Sequence, residues 1–379
     1  MQVLAVDVGT GTQDVFLFRS GLSLENGFKL VLPSPTMIVR RQILQAARRR
    51  QDILLTGVTM GGGPSQWGVE ALRRSGGRAF ATPAAARSFN DDLEEVEREL
   101  GVHIVSEDEA ERLRGVVHIP LADIDFAMLE RAFGAFGVEL RPAAVAVAVF
   151  DHGAAPPGVS DRQFRFDYLE ARVRTENRLS AFAYRAEAIP QSLTRLQAVA
   201  ASAASLDCPL IVMDTAPAAV LGAEFDPLVA GRPRRLVVNV GNFHALAFRL
   251  GPAGIEALFE HHTGLLDRRR LGALIERLAA GTLTRQEVFD NQGHGALVFD
   301  PTPLPLDGPD FGIVVTGPRR GLLRGSELRP YFAVPFGDMM LAGCFGLLAA
   351  AADLVPELAE PIRRSLRGQA PDVAPWDVE

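Results

Sequence analysis

The sequence predicts an α/β protein of two similarly ordered halves facing each other across a cleft. Three observations carry that reading. First, residues 4–19 (LAVDVGTGTQDVFLFR) read as an apolar strand ending in Asp, a Gly/Thr turn and a second strand, and the phrase restarts at 236–249 as LVVNVGNFHALAFR. Second, AAVAVAVF at 143–150 is a continuous apolar run of strand length, as expected of a strand buried on both faces of a parallel sheet. Third, both halves show one order: three strands joined by turns, then helix, strand, helix, strand, helix, with insertions in the first.

The elements follow in order. After the opening hairpin a third strand is expected near 28–32, then a helix over 37–49 behind Ser34-Pro35. A short buried strand at 52–56 runs into the turn GVTMGGGPS and a further helix. Residues 84–140 read as mostly helical. The strand 143–150 ends in the polar loop DHGAAPPG, helices continue to about 205, and a strand at 209–213 reaches Asp214 and a small-residue helix over 216–223. AGRPRR at 230–235 reads as a linker. Strands at 236–240, 244–250 and 254–260 follow, with a helix over 268–279, a strand at 311–316 leading to Gly317-Pro318, and an apolar helix over 339–352. Aligning the openings puts Leu4, Val6, Asp7, Val8 and Gly9 on Leu236, Val238, Asn239, Val240 and Gly241. With two residues deleted in the second turn, Phe18-Arg19 falls on Phe248-Arg249. The expected division is a first domain at 1–230 with a helical insertion about 80–205, a second at 231–352, and a loose C-terminal tail at 353–379.

Composition narrows the function. A chain of 379 residues suits two domains. The net charge of −7 argues against a nucleic-acid or membrane footprint. The longest apolar run is too short to span a bilayer, and no basic-then-apolar leader opens the chain. Two cysteines in apolar runs read as core thiols and point to a cytoplasmic protein. Lys29 is the sole lysine, so the phosphate-binding lysine of a GxxxxGK loop is missing. CxxC, CxxxCxxC and HExxH are absent, which removes the standard iron–sulfur and zinc signatures.

A tight Gly/Thr hairpin gathers backbone N–H groups and hydroxyls into a concavity suited to phosphate. A carboxylate ending its first strand can hold Mg²⁺ through water. Two such hairpins facing each other would grip a polyphosphate from both sides. Five segments in order resemble the ATPase superfamily that includes actin, hexokinase, other sugar kinases and the seventy-kilodalton heat-shock chaperones. VDVGTGT (6–12) is similar to its first phosphate motif, VMDTAPAAVLGA (212–223) to the first connecting helix, and VVNVGN (237–242) to the second phosphate motif. IVVTGP (313–318) is similar to the adenosine motif and FGDMMLAGCFGLLAA (336–350) to the second connecting helix. The resemblance implies duplicated ribonuclease H-like domains, the actin-like ATPase fold, with ATP and Mg²⁺ in the interdomain cleft. In that reading Asp7 positions Mg²⁺, and Gly9, Thr10, Gly11 and Thr12 cradle phosphate with Gly241 and Asn242. Gly317 meets the adenosine, and Asp214 orients the attacking water or hydroxyl. The chain as a whole also resembles a prokaryotic family labelled "putative pyruvate formate-lyase activating enzyme". Such an activase needs an iron–sulfur cluster on three closely spaced thiolates, which two isolated cysteines do not supply.

The expected function is therefore a Mg²⁺-dependent ATPase or small-molecule kinase, with a nucleotide and an unidentified small molecule or protein as partners and homodimerisation left open. Asn239 stands where the superfamily carries Asp, and Pro318 where it carries Gly; a non-catalytic ligand- or partner-binding member is the alternative they favour. A second alternative comes from the turns TMGGGP, DHG, EHHTG and NQGHG. Of seven histidines, five lie in or beside polar turns: His152, His244, His261, His262 and His294. A metal-dependent enzyme would be centred on His152, His261, His262 and His294.

Overall fold

The computed structural model describes residues 1–156, 158–371 and 373–377. The chain opens with β1 (Gln2–Val8), β2 (Thr12–Arg19) and β3 (Phe28–Pro33), then α1 (Pro35–Arg48), whose first residue is a proline needing no helical N–H partner. Next come β4 (Ile53–Gly57), α2 (Gly63–Arg74), β5 (Ala79–Ala81), β6 (Val102–Ile104), β7 (Val117–Leu121) and β8 (Pro142–Val149). They are followed by α3 (Asp161–Thr175), β9 (Ala183–Arg185), α4 (Thr194–Ser202), β10 (Leu210–Asp214) and α5 (Thr215–Ala223). The later elements are β11 (Arg235–Val240), β12 (His244–Gly251), β13 (Gly254–His262), α6 (Arg268–Ala279), β14 (Gly295–Val298), β15 (Ile313–Thr316), β16 (Pro330–Phe332), α7 (Ala342–Leu354) and α8 (Pro356–Leu366).

Two large sheets repeat one plan. The first has the order β3-β2-β1-β8-β10-β9, the second β14-β13-β12-β11-β15-β16. In each, an antiparallel meander joins parallel strands: β1 pairs β8 in parallel as β11 pairs β15. The repeat is closer than the sequence alignment proposes. Val8 pairs Gln13 and Val240 pairs Ala245, so the two turns have equal length and no deletion separates them. Phe16 opposite Ala5, not Phe18, is the counterpart of Phe248 opposite Val237.

The alternation in β8 explains the first core. Ala144, Ala146 and Ala148 face α7, where small side chains admit a close helix bearing Phe345 and Leu348. Val145, Val147 and Val149 face the opposite core with Leu196 and Val199 of α4. In the second sheet, Val237, Phe248 and Val314 pack with Phe166 of α3 and Val220 of α5, while Leu236, Val238 and Ala257 pack with Leu271, Ile275 and Leu278 of α6.

Three expectations are corrected. The strand at Ile53–Gly57 does not join the first large sheet. It pairs β5 and β7 in a separate four-stranded parallel sheet, order β6-β5-β4-β7, packed on Ile43 of α1 and Val69 and Leu72 of α2. The span 84–140 therefore contains β6 and β7 among its helices, and β8 and β10, inside or next to the supposed insertion at 80–205, belong to the first large sheet. Finally, the segment read as a tail forms α8, whose Leu358, Ile362 and Leu366 recur at helical spacing and enter the first core.

Candidate functional site

The C-terminal ends of the parallel strands open into one cleft of about 550 Å³, the position at which open α/β sheets place their ligands. It is lined by both hairpins, the triple-glycine turn before α2, the loop after β8 and the start of α7. At one end Asp7 and Asp14 face each other across β1 and β2. Thr215 at the start of α5 donates its hydroxyl to Asp7 Oδ1 at 2.6 Å. Gly343 of α7 lies against Asp7 Oδ2, where any Cβ would collide with the carboxylate. Burial pushes Asp7 up to about 6, opposed by the Thr215 hydrogen bond. Burial, then the charge of Asp7, pushes Asp14 up to about 8. Asp14 Oδ1 is buried and has no hydrogen-bond partner.

The hairpin tips meet. Gly9 N donates to Thr12 O at 2.9 Å, and Gly241 N to His244 O at 2.9 Å. Gly11 packs directly on the side chain of Asn242. Gly9, Thr10, Thr12, Gly241, Asn242 and Gly317 all line the cleft. Gly317 has a φ of +92° and lies against Asn239 Oδ1 and the carbonyl of Val240, which leaves no room for a side chain.

Asp214 is placed elsewhere. Its carboxylate caps α5 through Ala216 N and accepts from Arg165 Nη1 at 2.6 Å. Arg165, fully buried on α3, also binds Glu260 Oε2 at 2.8 Å and the carbonyl of Asp151 at 2.7 Å, and stacks on Phe150 at 3.9 Å. Asp214 does not line the cleft, so the expected orienting of an attacking water by its carboxylate is corrected: it is committed to a buried ion pair that ties the two large sheets together.

Among the basic residues lining the cleft, Arg195 is held by Asp123 at 2.6 and 2.8 Å and by the carbonyl of Phe150 at 2.6 Å. Asp151 accepts from the backbone N–H of Gly153, Arg195 and Leu196, which fixes the loop carrying His152.

The histidines form the other end. His152, His244 and His294 bring one ring nitrogen each within 4.8 Å of the others. His152 Nε2 lies 3.0 Å from His294 Nε2, and His294 Nδ1 lies 3.5 Å from Glu260 Oε1. The His244 ring stacks on Phe150 with centroids 4.1 Å apart. His262 adjoins, its centroid 5.1 Å from that of His244 and 4.7 Å from that of His294. His261 turns away to the carbonyl of Asn291 at 2.9 Å, which corrects its expected place in the set; His244 stands there instead. Burial, then the Arg165 and Arg195 charges, pushes His152 down to about 3, and burial takes His244 and His294 well below the ordinary range.

A family model described as "Putative pyruvate format-lyase activating enzyme (DUF1786)" matches residues 60–322. The chain belongs to this family. No curated protein matches it. Among solved structures it is similar to the ethanolamine utilization protein EutJ from Carboxydothermus hydrogenoformans, at 14% identity over 92% of this chain and 89% of that one, TM-score 0.32. It is also similar to the ROK hexokinase from Thermus thermophilus, at 14% identity over 98% and 91%, TM-score 0.24. An exopolyphosphatase-like protein is matched at 11% identity over 83% of this chain and 65% of that one, TM-score 0.21. The fold assignment rests on the sheets themselves: two ribonuclease H-like orders in one chain, with a cleft between them, are the actin-like ATPase fold. No helix among the described residues is long and apolar enough to cross a membrane.

Sequence reasoning missed Asp14, Asp123, Arg165, Arg195, Thr215 and Glu260. Asp14 alone had a local signal, since its place in the second strand of a hairpin sets it opposite Asp7.

Proposed function

We propose that this family member binds a nucleotide with Mg²⁺ in the cleft and acts as an ATPase or as a kinase toward a small molecule or protein. One observation carries the reading: two glycine hairpins of equal length meet tip to tip beside a buried carboxylate pair, Asp7 and Asp14. Gly9, Thr10, Gly11 and Thr12 would cradle phosphates from one side, Gly241 and Asn242 from the other, and Gly317 would lie under the nucleoside. The unpartnered Asp14 Oδ1 beside Asp7 is a fitting surround for a hydrated divalent cation, with Asp7 the residue to hold it. Mg²⁺ would supply charge neutralisation at the transferring phosphoryl group. Thr215 orients Asp7. The division into 1–230 and 231–352 and a cytoplasmic setting, supported by two unpaired cysteines, belong to the same reading.

The chemistry named in the family description is not part of it. Cys344 is buried with its thiol 3.1 Å from the carbonyl of Asp14, and Cys208 is the one other thiol, so the chain lacks three thiolates for an iron–sulfur cluster.

Calorimetric titration with ATP and ADP, with and without Mg²⁺, tests the proposal. Mg²⁺-dependent binding that weakens at least about tenfold in Asp7→Ala supports it; absence of binding at millimolar nucleotide overturns it. A second reading, binding without turnover, is favoured by Asn239 at the superfamily's Asp position and by the engagement of Arg195 with Asp123. Nucleotide binding with no phosphate release in a single-turnover assay would decide for it.

A further inference from the structure

The histidine end of the cleft has a donor set unlike the phosphate end, and nothing in a nucleotide site requires it. His152 follows β8 of the first large sheet, whereas His244 opens β12 and His294 precedes β14 of the second. Their ring nitrogens converge within 4.8 Å. Three ligands of a tetrahedral zinc, each about 2.0–2.1 Å from the metal, are separated by about 3.3 Å. The 3.0 Å between His152 Nε2 and His294 Nε2 is close to that spacing already.

Two further features point to a ligand. His244 Nε2 is buried and has no partner, which leaves a lone pair or an N–H unsatisfied. His294 Nδ1 is likewise buried without a hydrogen-bond partner, and the nearest carboxylate oxygen, Glu260 Oε1, lies 3.5 Å away, on the side where a carboxylate orients a metal-ligating histidine once the ring is drawn to an ion. Charge does not forbid a cation. Arg165 is matched by Asp214 and Glu260 and Arg195 by Asp123, while Arg162 is engaged by the carbonyls of Phe289 and Gly293.

We infer that His152, His244 and His294 form a binding site for a late first-row divalent cation, Zn²⁺ or a close relative, that joins the two halves of the molecule. Imidazole donors suit such ions, whereas Mg²⁺ prefers oxygen. His152 and His244 line the cleft, so an ion held by them would lie beside a cleft-bound molecule. Three histidines with an open fourth position form the donor set of a zinc that binds water or an anionic oxygen of a cleft-bound molecule. This inference does not depend on nucleotide binding.

The test uses the full chain, stripped with chelator and titrated with Co²⁺ in the absence of nucleotide. The expected result is one Co²⁺ per chain with the intense visible absorption of four-coordinate cobalt, displaced by one equivalent of Zn²⁺ and not by excess Mg²⁺. His244→Ala and His294→Ala each abolish that absorption, Glu260→Gln weakens Zn²⁺ about tenfold, and the exposed His118→Ala changes nothing. Circular dichroism establishes that each variant folds. His244 is only partly buried, so His244→Ala carries the test if His294→Ala does not fold. Failure of the wild-type chain to bind Co²⁺, or binding that survives His244→Ala, overturns the site. Neither result bears on the ATP titration.

Discussion

The hairpins at β1–β2 and β11–β12 share a backbone and differ in chemistry. Both close with a 2.9 Å bond from glycine to the residue three positions on, Thr12 in one and His244 in the other. Equal turn length makes the positions comparable one by one. Asp7 corresponds to Asn239, Asp14 to Leu246, and Thr12 to His244. The first hairpin thus presents hydroxyl and carboxylate oxygen, and the second an amide and an imidazole. Oxygen donors suit Mg²⁺ and its phosphate ligands, and nitrogen donors suit softer ions. A duplicated fold has kept the directions in which its side chains point while the groups at those positions have diverged.

The sharpest way to break the comparison is to attack the carboxylate pair from outside its own half. Gly343→Val puts atoms where Asp7 lies, against a buried carboxylate that Thr215 already holds. A loss of about 3 kcal/mol is expected, read as a fall in Tm of about 4 °C by calorimetry. Second in size is the contrast between matched glycines. A Cβ at Gly241 would lie 2.7 Å from His244 O, and one at Gly9 3.2 Å from Thr12 O. Gly241→Ala should therefore cost about 2 kcal/mol and Gly9→Ala about 1 kcal/mol or less in urea unfolding; equal costs would show that the two turns are equally packed and would break the contrast.

Asp14 gives the comparison a pH dependence that Leu246 cannot have. Folding raises its pKa to about 8 from the ordinary 3.8. The folded chain therefore holds the proton more tightly than the unfolded one. The stability this supports is full below about pH 4 and is lost as pH rises through about 8. Asp14→Asn should flatten that decline and be more stable than wild type at pH 9 by about 1–2 kcal/mol, visible as a smaller Tm difference between pH 5 and pH 9. The smallest effect is expected from Asn239→Asp, which restores a carboxylate to the second hairpin. In titrations at fixed ATP, Mg²⁺ affinity should rise about two- to fivefold; no change would place Asn239 outside the reach of the cation.

What could be read from the sequence follows from how local each signal is. The strand–glycine–strand phrase at both openings, the run at Ala143 to Phe150 and the helix at Arg268–Ala279 carry their own periodicity, and the structure has them in those places. The inserted sheet escaped because Ala79–Ala81 and Val102–Ile104 are three-residue strands, too short for any alternation to show. β4 looked like a strand and is one, but only its pairing partners reveal its sheet. At the site, Asp7 and the glycines could be named because chemistry and turn coincide in one segment. Asp214 was misjudged because its partner Arg165 is 49 residues away and one of many helical arginines. The histidine set was nearly legible: each member sits in a polar turn, but the choice of His244 over His261 depends on which face of β12 and β13 each occupies.

The helices α3, α5 and α7 have a mechanical consequence. Helices α3 and α5 precede residue 231, yet Phe166 and Val220 cover Val237, Phe248 and Val314 of the second sheet. Helix α7 follows residue 231, yet it covers Ala144, Ala146 and Ala148 of the first. At the crossing, Gly222 lies on the backbone of Ala342, and Gly346 on that of Ala218, with no space for a side chain between them. Each half therefore wears a wall grown by the other. Severed between residues 230 and 231, either fragment alone would expose an uncovered sheet face, and the two produced together would restore each other as an obligate pair.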